Sequence, residues 1–238
     1  MDAFWSRHRY WIIGHRGARG HAPENTLAGI DAGLRLGADM IEIDVQYHAD
    51  ELWLLHDLRL ERTTSGRGRL ADARRAELEA LQVSGEPLPS LDAAIRRIDG
   101  RVPLNIELKS AGGSAEAVAR CLRAHLQQGA RPADFLVSSF HLPELARFRA
   151  ALPEVPVGAL FCGVPLDYAA AAATLGAASV NLGADFLEPA LLEDARRRGL
   201  ALLVYTVNEP EELVRLREAG ITGVFTDYPD RGRTAAGG

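Results

Sequence analysis

With 238 residues, 47% of them hydrophobic and 25% charged, the chain has apolar material for one substantial core and lacks the composition of a disordered segment. Its net charge of −5 argues against broad electrostatic binding to nucleic acid or anionic lipid, so a small anionic ligand would need a local cationic site. No run approaches the ~18 apolar residues of a membrane span, and the first strand-like run begins too soon after Met1 for a signal peptide; a cytoplasmic protein without membrane insertion is expected.

Taken in chain order, eight apolar runs read as strands: 11–14, 40–45, 103–108, 135–137, 155–160, 178–182, 201–204 and 223–225. Amphipathic stretches lie between them, and five of these end at Gly37, Gly129, Gly176, Gly199 and Gly220 just before the next apolar run, as a left-handed helix terminus requires. Leu27, Ile30 and Leu34 share one helical face, and Leu213 and Leu216 lie on one turn after Asn208-Glu209-Pro210-Glu211, which offers an N-cap, an early proline and helix-start acids. Continuous apolar strands alternating with helices predict an α/β fold, a (β/α)8 TIM barrel formed as one domain over 1–238. Residues of about 57–89 fit no short connection and read as a small insertion after the second strand region, with an extra helix over 71–81. Cys121 and Cys162 lack metal-ligand spacing and are expected to be reduced, buried thiols.

In a barrel, reactive groups gather where the strands end. Glu42 and Asp44 are two apart on one strand and so share a face, which in a closed barrel points inward; interior carboxylates demand protons, cations or a metal. Glu107 adds a third carboxylate from the neighbouring strand, and three such oxygens suit a hard cation: Mg²⁺ or Ca²⁺ foremost, Mn²⁺ also. The bland alternatives are a solvated acidic face and a simple pair between Glu107 and Lys109. Lys109 is the one lysine among 27 basic residues, which singles out a compact ammonium in a chain that otherwise uses arginine. His15 and His56 each follow a strand and could exchange protons on either side of phosphorus; His8, His21, His48 and His125 lack that context.

These residues belong to an ordered set of motifs. His15-Arg16-Gly17, Pro23-Glu24-Asn25-Thr26, Glu42-Ile43-Asp44-Val45, His56-Asp57, Arg62-Thr63-Thr64-Ser65-Gly66, Pro89-Ser90-Leu91 and Glu107-Leu108-Lys109 resemble the signature of the glycerophosphodiester phosphodiesterases. Ser138-Ser139-Phe140, Tyr205-Thr206-Val207-Asn208 and Thr226-Asp227-Tyr228-Pro229 extend the resemblance, which spans about residues 12–230. It implies a metal-dependent TIM-barrel hydrolase that converts a small anionic glycerophosphodiester to glycerol 3-phosphate and an alcohol. It further implies that His15 and His56 are the acid/base pair, that Glu42, Asp44 and Glu107 hold a divalent cation, and that Arg16 and Lys109 bind phosphate.

The chain departs from the family pattern at the turn His48-Ala49-Asp50-Glu51 and at Tyr205, which stands where tryptophan is common and is expected to wall the substrate. Asn25 could cap the first helix or orient neighbours, and Glu24 could support Arg16 or serve as a helix-start acid. Competing functions are lysophospholipid hydrolysis, which an apolar groove beside the insertion would favour, and a phosphate-binding module without turnover. A zinc amidohydrolase is opposed by the absence of paired histidines on the first strand.

Overall fold

The first element of the barrel, β1 (Trp11–Gly14), carries four buried residues, and its side chains alternate between two apolar environments. The computed structural model describes residues 4–8, 10–109 and 112–237. After β1 come α1 (Leu27–Arg35), β2 (Met40–His48) and β3 (Glu51–Leu54). A small set follows: α2 (Arg75–Glu79), β4 (Gln82–Val83), β5 (Glu86–Pro87) and α3 (Leu91–Ile98). The chain then alternates through β6 (Leu104–Leu108), α4 (Ser114–Gln127), β7 (Phe135–Ser139), α5 (Leu142–Ala151), β8 (Val157–Phe161) and α6 (Ala170–Thr174). It ends with β9 (Ser179–Gly183), α7 (Pro189–Arg197), β10 (Ala201–Tyr205), α8 (Pro210–Glu218), β11 (Gly223–Thr226) and α9 (Pro229–Ala236).

Eight parallel strands run in the order β1-β2-β6-β7-β8-β9-β10-β11, and the pairing of β1 with both β2 and β11 closes them into a (β/α)8 barrel. On β2, Ile41, Ile43 and Val45 pack outward in one cluster with the buried faces of α3 and α4. Their alternates Glu42, Asp44 and Gln46 therefore face the barrel interior, each at most 2% exposed. The end of the barrel opposite those carboxylates is sealed by Trp11, Ile13, Met40, Leu136 and Leu203, with Phe4 and Trp5 closing over them. Trp5 and Trp11 donate their indole N–H groups to the carbonyls of Ala178 and Trp5, so neither ring buries an unpaired donor. Each such aromatic removes roughly 150–250 Å² from water, or roughly 4–6 kcal/mol of transfer free energy. The barrel is thus dry below and polar above, which leaves one end for chemistry.

Helix ends follow the sequence closely at their C-termini: Gly37, Gly129, Gly176, Gly199 and Gly220 all adopt positive φ. Three local expectations are corrected. The helix expected over 71–81 is a 3-10 turn at Leu70–Asp72 followed by the short α2, because Ala73 and Arg74 take up extended backbone between them. At α8 the N-cap is Glu209, without a side-chain cap; Asn208 instead turns its amide to Asp227, although Pro210, Glu211 and Glu212 do occupy the first turn. Thr26, not Asn25, caps α1 by accepting the Gly29 N–H. A further correction concerns Cys162, which is exposed on the loop immediately after β8; Cys121 is partly buried, and both are free thiols.

β3 turns back antiparallel to β2 and lies outside the barrel order, so His56 follows this hairpin rather than a barrel strand. The segment beyond it builds a satellite core of Trp53, Leu55, Leu60, Leu70, Leu78, Leu81, Val83 and Leu88. That core gives the inserted segment a fixed footing beside the upper end of the barrel.

Candidate active site

Strand register assembles the acidic centre. β2 and β6 pair Asp44 with Glu107 and Glu42 with Asn105, so carboxylates from adjacent strands project into the same space. One oxygen from each of Glu42, Asp44 and Glu107 lies within 4.8 Å of the others. Burial first, and then repulsion from Asp44, push Glu42 well above the ordinary carboxylate range, and the same causes raise Glu107. Glu42 Oε1 is buried with no hydrogen-bond partner. Clustered, desolvated carboxylates with an unpartnered oxygen are the donor set that a hard divalent cation satisfies. Two cationic side chains border the cluster. Lys109 Nζ lies 2.8 Å from Glu107 Oε1 and 3.7 Å from Asp44 Oδ1, and Arg16 Nε lies 3.1 Å from Asp44 Oδ2.

Arg16 reaches this position because its backbone is left-handed, φ 52°, and its N–H donates to Glu42 Oε2 at 2.8 Å. Gly17 next to it has φ 92° and runs so close to α1 that a Cβ would come within 2.4 Å of the Gly29 carbonyl carbon, which only glycine permits. The Arg16 guanidinium donates to Glu24 Oε1 at 2.7 Å. Glu24 also accepts two bonds from Arg62 of the insertion, at 2.9 and 2.7 Å. Burial opposes its ionisation, yet the Arg62 and Arg16 guanidiniums hold Glu24 down to about 2. Asn25, also left-handed at φ 56°, donates Nδ2–H to Asp44 Oδ2 and accepts the Asp44 N–H on Oδ1. Of the two readings open for it, Asn25 orients a neighbour, and Glu24 supports Arg16.

The two imidazoles are held alike. His15 Nδ1 lies 2.7 Å from Asp227 Oδ1, and His56 Nδ1 lies 2.6 Å from Asp57 Oδ1, which leaves each Nε2 for another partner. Asp227 is fixed in turn by Asn208, which donates Nδ2–H to Oδ2 at 2.9 Å and accepts the Asp227 N–H. Although burial raises it, hydrogen bonds from His15 and Asn208 keep Asp227 below the ordinary carboxylate value. His56 is depressed, chiefly because burial disfavours its cation. Gln46, on the inward face of β2, donates to the carbonyls of Leu55 and Asp57 at 3.0 and 2.6 Å and so clamps the backbone on both sides of His56.

His15, Arg16, Glu42, His56, Glu107, Lys109 and Tyr205 all line one cavity of about 210 Å³, with Asp44 buried beneath it. This is smaller than the ~300–1,000 Å³ usual for drug-sized ligands and suits a small polar one. Tyr205 donates its hydroxyl to the Phe161 carbonyl at 2.6 Å, which turns the ring edge-on to Phe140 as an apolar wall. All eight side chains singled out in the sequence therefore converge. Their partners Asp57, Asp227, Asn208, Gln46 and Arg62 were given no site role from sequence, where Asn208 was read as a helix cap, though all but Gln46 sit in the quoted motifs. The remaining five histidines are bound elsewhere: His21 to Asp230, His48 to the Ala73 carbonyl, His125 to Asp92, His8 near Asp39, and His141 as the cap of α5, where Nδ1 accepts the Glu144 N–H.

Such a barrel mouth is that of a hydrolase of small phosphate esters, and similarity to known proteins narrows the class. Residues 15–231 match the glycerophosphoryl diester phosphodiesterase family, and the chain belongs to it. Bacillus subtilis YhdW is 34% identical, the match covering 92% of this chain and 95% of that protein. A glycerophosphodiester phosphodiesterase of Caldanaerobacter subterraneus is 30% identical over 92% of this chain and 94% of its own. Among solved structures, an Oleispira antarctica phosphodiesterase in complex with the product sn-glycerol-3-phosphate superposes with a TM-score of 0.86 at 29% identity, over 96% of this chain and 97% of that one. The protein is accordingly a phosphoric diester hydrolase of the glycerophosphodiester type. No helix among the described residues is long and apolar enough to cross a membrane.

Proposed function

We propose that the protein hydrolyses small glycerophosphodiesters to glycerol 3-phosphate and an alcohol in the cytoplasm, with residues 1–238 acting as one catalytic domain. The observation that carries this reading is the convergence, on one cavity of about 210 Å³, of two carboxylate-backed imidazoles with the acidic cluster and its two cations. Glu42, Asp44 and Glu107 would hold a divalent cation, Mg²⁺ or Ca²⁺ foremost and Mn²⁺ also, which when bound supplies Lewis acidity at a phosphoryl oxygen. Arg16 and Lys109 bind the phosphate as fixed cations and offset charge that grows in the transition state. One imidazole takes a proton from the attacking hydroxyl or water while the other protonates the departing alkoxide. Burial disfavours the His56 cation, which suits that imidazole to the role of acceptor. Asp227 and Asp57 fix the ring orientations and leave both Nε2 atoms directed to the reaction.

A second cleft of about 530 Å³, lined by His56, Asp57, Leu58, Arg59 and Arg69, opens beside the first and shares His56 with it. It offers the leaving alcohol a path out. Its wall is mainly apolar, from exposed Leu58 and the stems of two arginines, so lysophospholipids stand in the panel as a second substrate class beside the small diesters. The Oleispira antarctica protein, solved with sn-glycerol-3-phosphate, supports the same product here.

The test is release of glycerol 3-phosphate from a panel of glycerophosphodiesters and lysophospholipids, with chelator and after readdition of Mg²⁺, Ca²⁺, Mn²⁺ or Zn²⁺. Chelator should abolish turnover of the small diesters and one of the hard cations restore it, and His15→Ala and His56→Ala should each lose ~10²–10⁴-fold in kcat. Full activity in chelator, or in both histidine variants, would overturn the assignment.

A further inference from the structure

The floor of the catalytic cavity carries polar groups that the proposed chemistry leaves unused. Asn105 on β6 lines the cavity two residues below Glu107 on the same inward face, and it is 1% exposed. Neither its Oδ1 nor its Nδ2 has a hydrogen-bond partner. Ser138 on β7 also lines the cavity, is fully buried, stands in register with Glu107, and has an unpartnered Oγ. By contrast Ser139, its immediate neighbour, donates to the Leu108 carbonyl and accepts the His141 N–H. Buried polar atoms are almost always paired, because an unpaired one loses its water without compensation. Three such atoms bordering one cavity are costly to the empty protein and point to a ligand that completes them.

The missing partner can be read from their chemistry. Together these side chains offer an acceptor, an amide donor and a hydroxyl that is both. Vicinal alcohols complement that set, since each hydroxyl donates one hydrogen bond and accepts others. A phosphate oxygen, which only accepts, could satisfy the donors but not Asn105 Oδ1. The walls beside the floor, Leu160, Tyr205 and Phe225, suit the C–H faces of a short carbon chain.

We infer that Asn105 and Ser138 are specificity-determining residues that bind the free hydroxyls of the glycerol arm. The inference rests on the proposed hydrolysis of glycerophosphodiesters and adds how the enzyme selects the glycerol side of its substrate. A site built around a substrate hydroxyl rejects the analogue lacking it strongly, because the analogue leaves buried groups unpaired. A diester whose arm keeps the hydroxyl beside the phosphoester but lacks the terminal one is refused on that ground, whichever nucleophile attacks.

The experiment compares glycerophosphocholine with 2-hydroxypropyl phosphocholine, which keeps the hydroxyl beside the phosphoester and lacks only the terminal one, as substrates for the wild type, Ser138→Ala and Asn105→Leu, with melting temperature recorded for each. The wild type should prefer the glycerol arm by about 100-fold or more in kcat/KM, and each variant should reduce that preference about tenfold or more. Affinity for glycerol 3-phosphate, measured by calorimetry, should weaken by a similar factor while affinity for inorganic phosphate holds. Melting temperature without ligand should stay level or rise in Ser138→Ala, since an unpaired hydroxyl is removed. This small change keeps the test open if Asn105→Leu fails to fold. Equal losses on both substrates, an undiminished preference, or a shifted concentration dependence on the activating cation would each overturn the inference; the last would assign Asn105 to the metal. A wild type that turns over no diester under any metal would instead refute the hydrolysis proposal itself.

Discussion

Asp227 stands 212 positions from His15 in the chain and 2.7 Å from its ring in the fold. The carboxylate fixes which imidazole nitrogen faces the cavity, and an amide in its place would present an N–H to Nδ1 and reverse the tautomer. On the proposal that His15 exchanges protons with the substrate, Asp227→Asn is expected to lower kcat by about 10²–10⁴-fold with little change in KM or melting temperature. Steady-state kinetics with a thermal melt checks it, and a kcat within threefold of wild type would show that His15 needs no such partner. At this scale the sequence discloses the groups with unusual chemistry and conceals those that aim them. Glu42 and Asp44 are legible because their period of two on an apolar strand has few other meanings. Asp227, Asn208 and Gln46 are ordinary polar residues until barrel closure and the β2–β3 hairpin bring them to the imidazoles, contacts that depend on long-range register.

Among the elements, the strands and the glycine-ended helices are the parts that local sequence specifies. Gly199, after α7, shows why: its φ is 74°, and a Cβ there would meet no atom within 4 Å, so backbone conformation alone demands glycine. Gly199→Ala should cost about 1–2 kcal/mol of stability, the price of the left-handed conformation for an L-residue. Denaturant unfolding would measure it, and kcat should be unchanged because the residue lies at the N-terminal end of β10, away from the carboxylates. A loss below about 0.3 kcal/mol would mean that the loop relaxes to another conformation. The insertion resists such reading. The sequence reads as one helix over 71–81, yet the satellite core draws in Leu70, Leu78 and Leu81 and the chain is extended at Ala73 and Arg74. Tertiary burial overrides propensity there, whereas in the barrel the two agree.

For the molecule as a whole, the acidic centre couples folding to pH, and the proposed metal would couple to it through the same carboxylates. Glu42 and Glu107 ionise less readily when folded than their ordinary value of 4.5 allows, because of burial and the charge on Asp44. The metal-free folded state consequently binds more protons than the unfolded chain at pH values above that. Linkage fixes the sign: the stability these groups contribute is present below their unfolded pKa and lost as pH rises through the raised folded values. A divalent cation held by these carboxylates, as proposed, would reverse this dependence, since it would bind their ionised form and favour the folded state only. At a free concentration ~100 times its Kd it should add about 2.7 kcal/mol, a rise of roughly 5–11 °C in melting temperature for a chain of this size. Scans in chelator and in Mg²⁺ or Ca²⁺ between about pH 5 and pH 8 should show a gap that widens with pH. Glu42→Gln, which removes one buried charge, should raise the chelator curve and shrink the gap. A gap independent of pH, or one that survives intact in Glu42→Gln, would place the cation away from these three carboxylates.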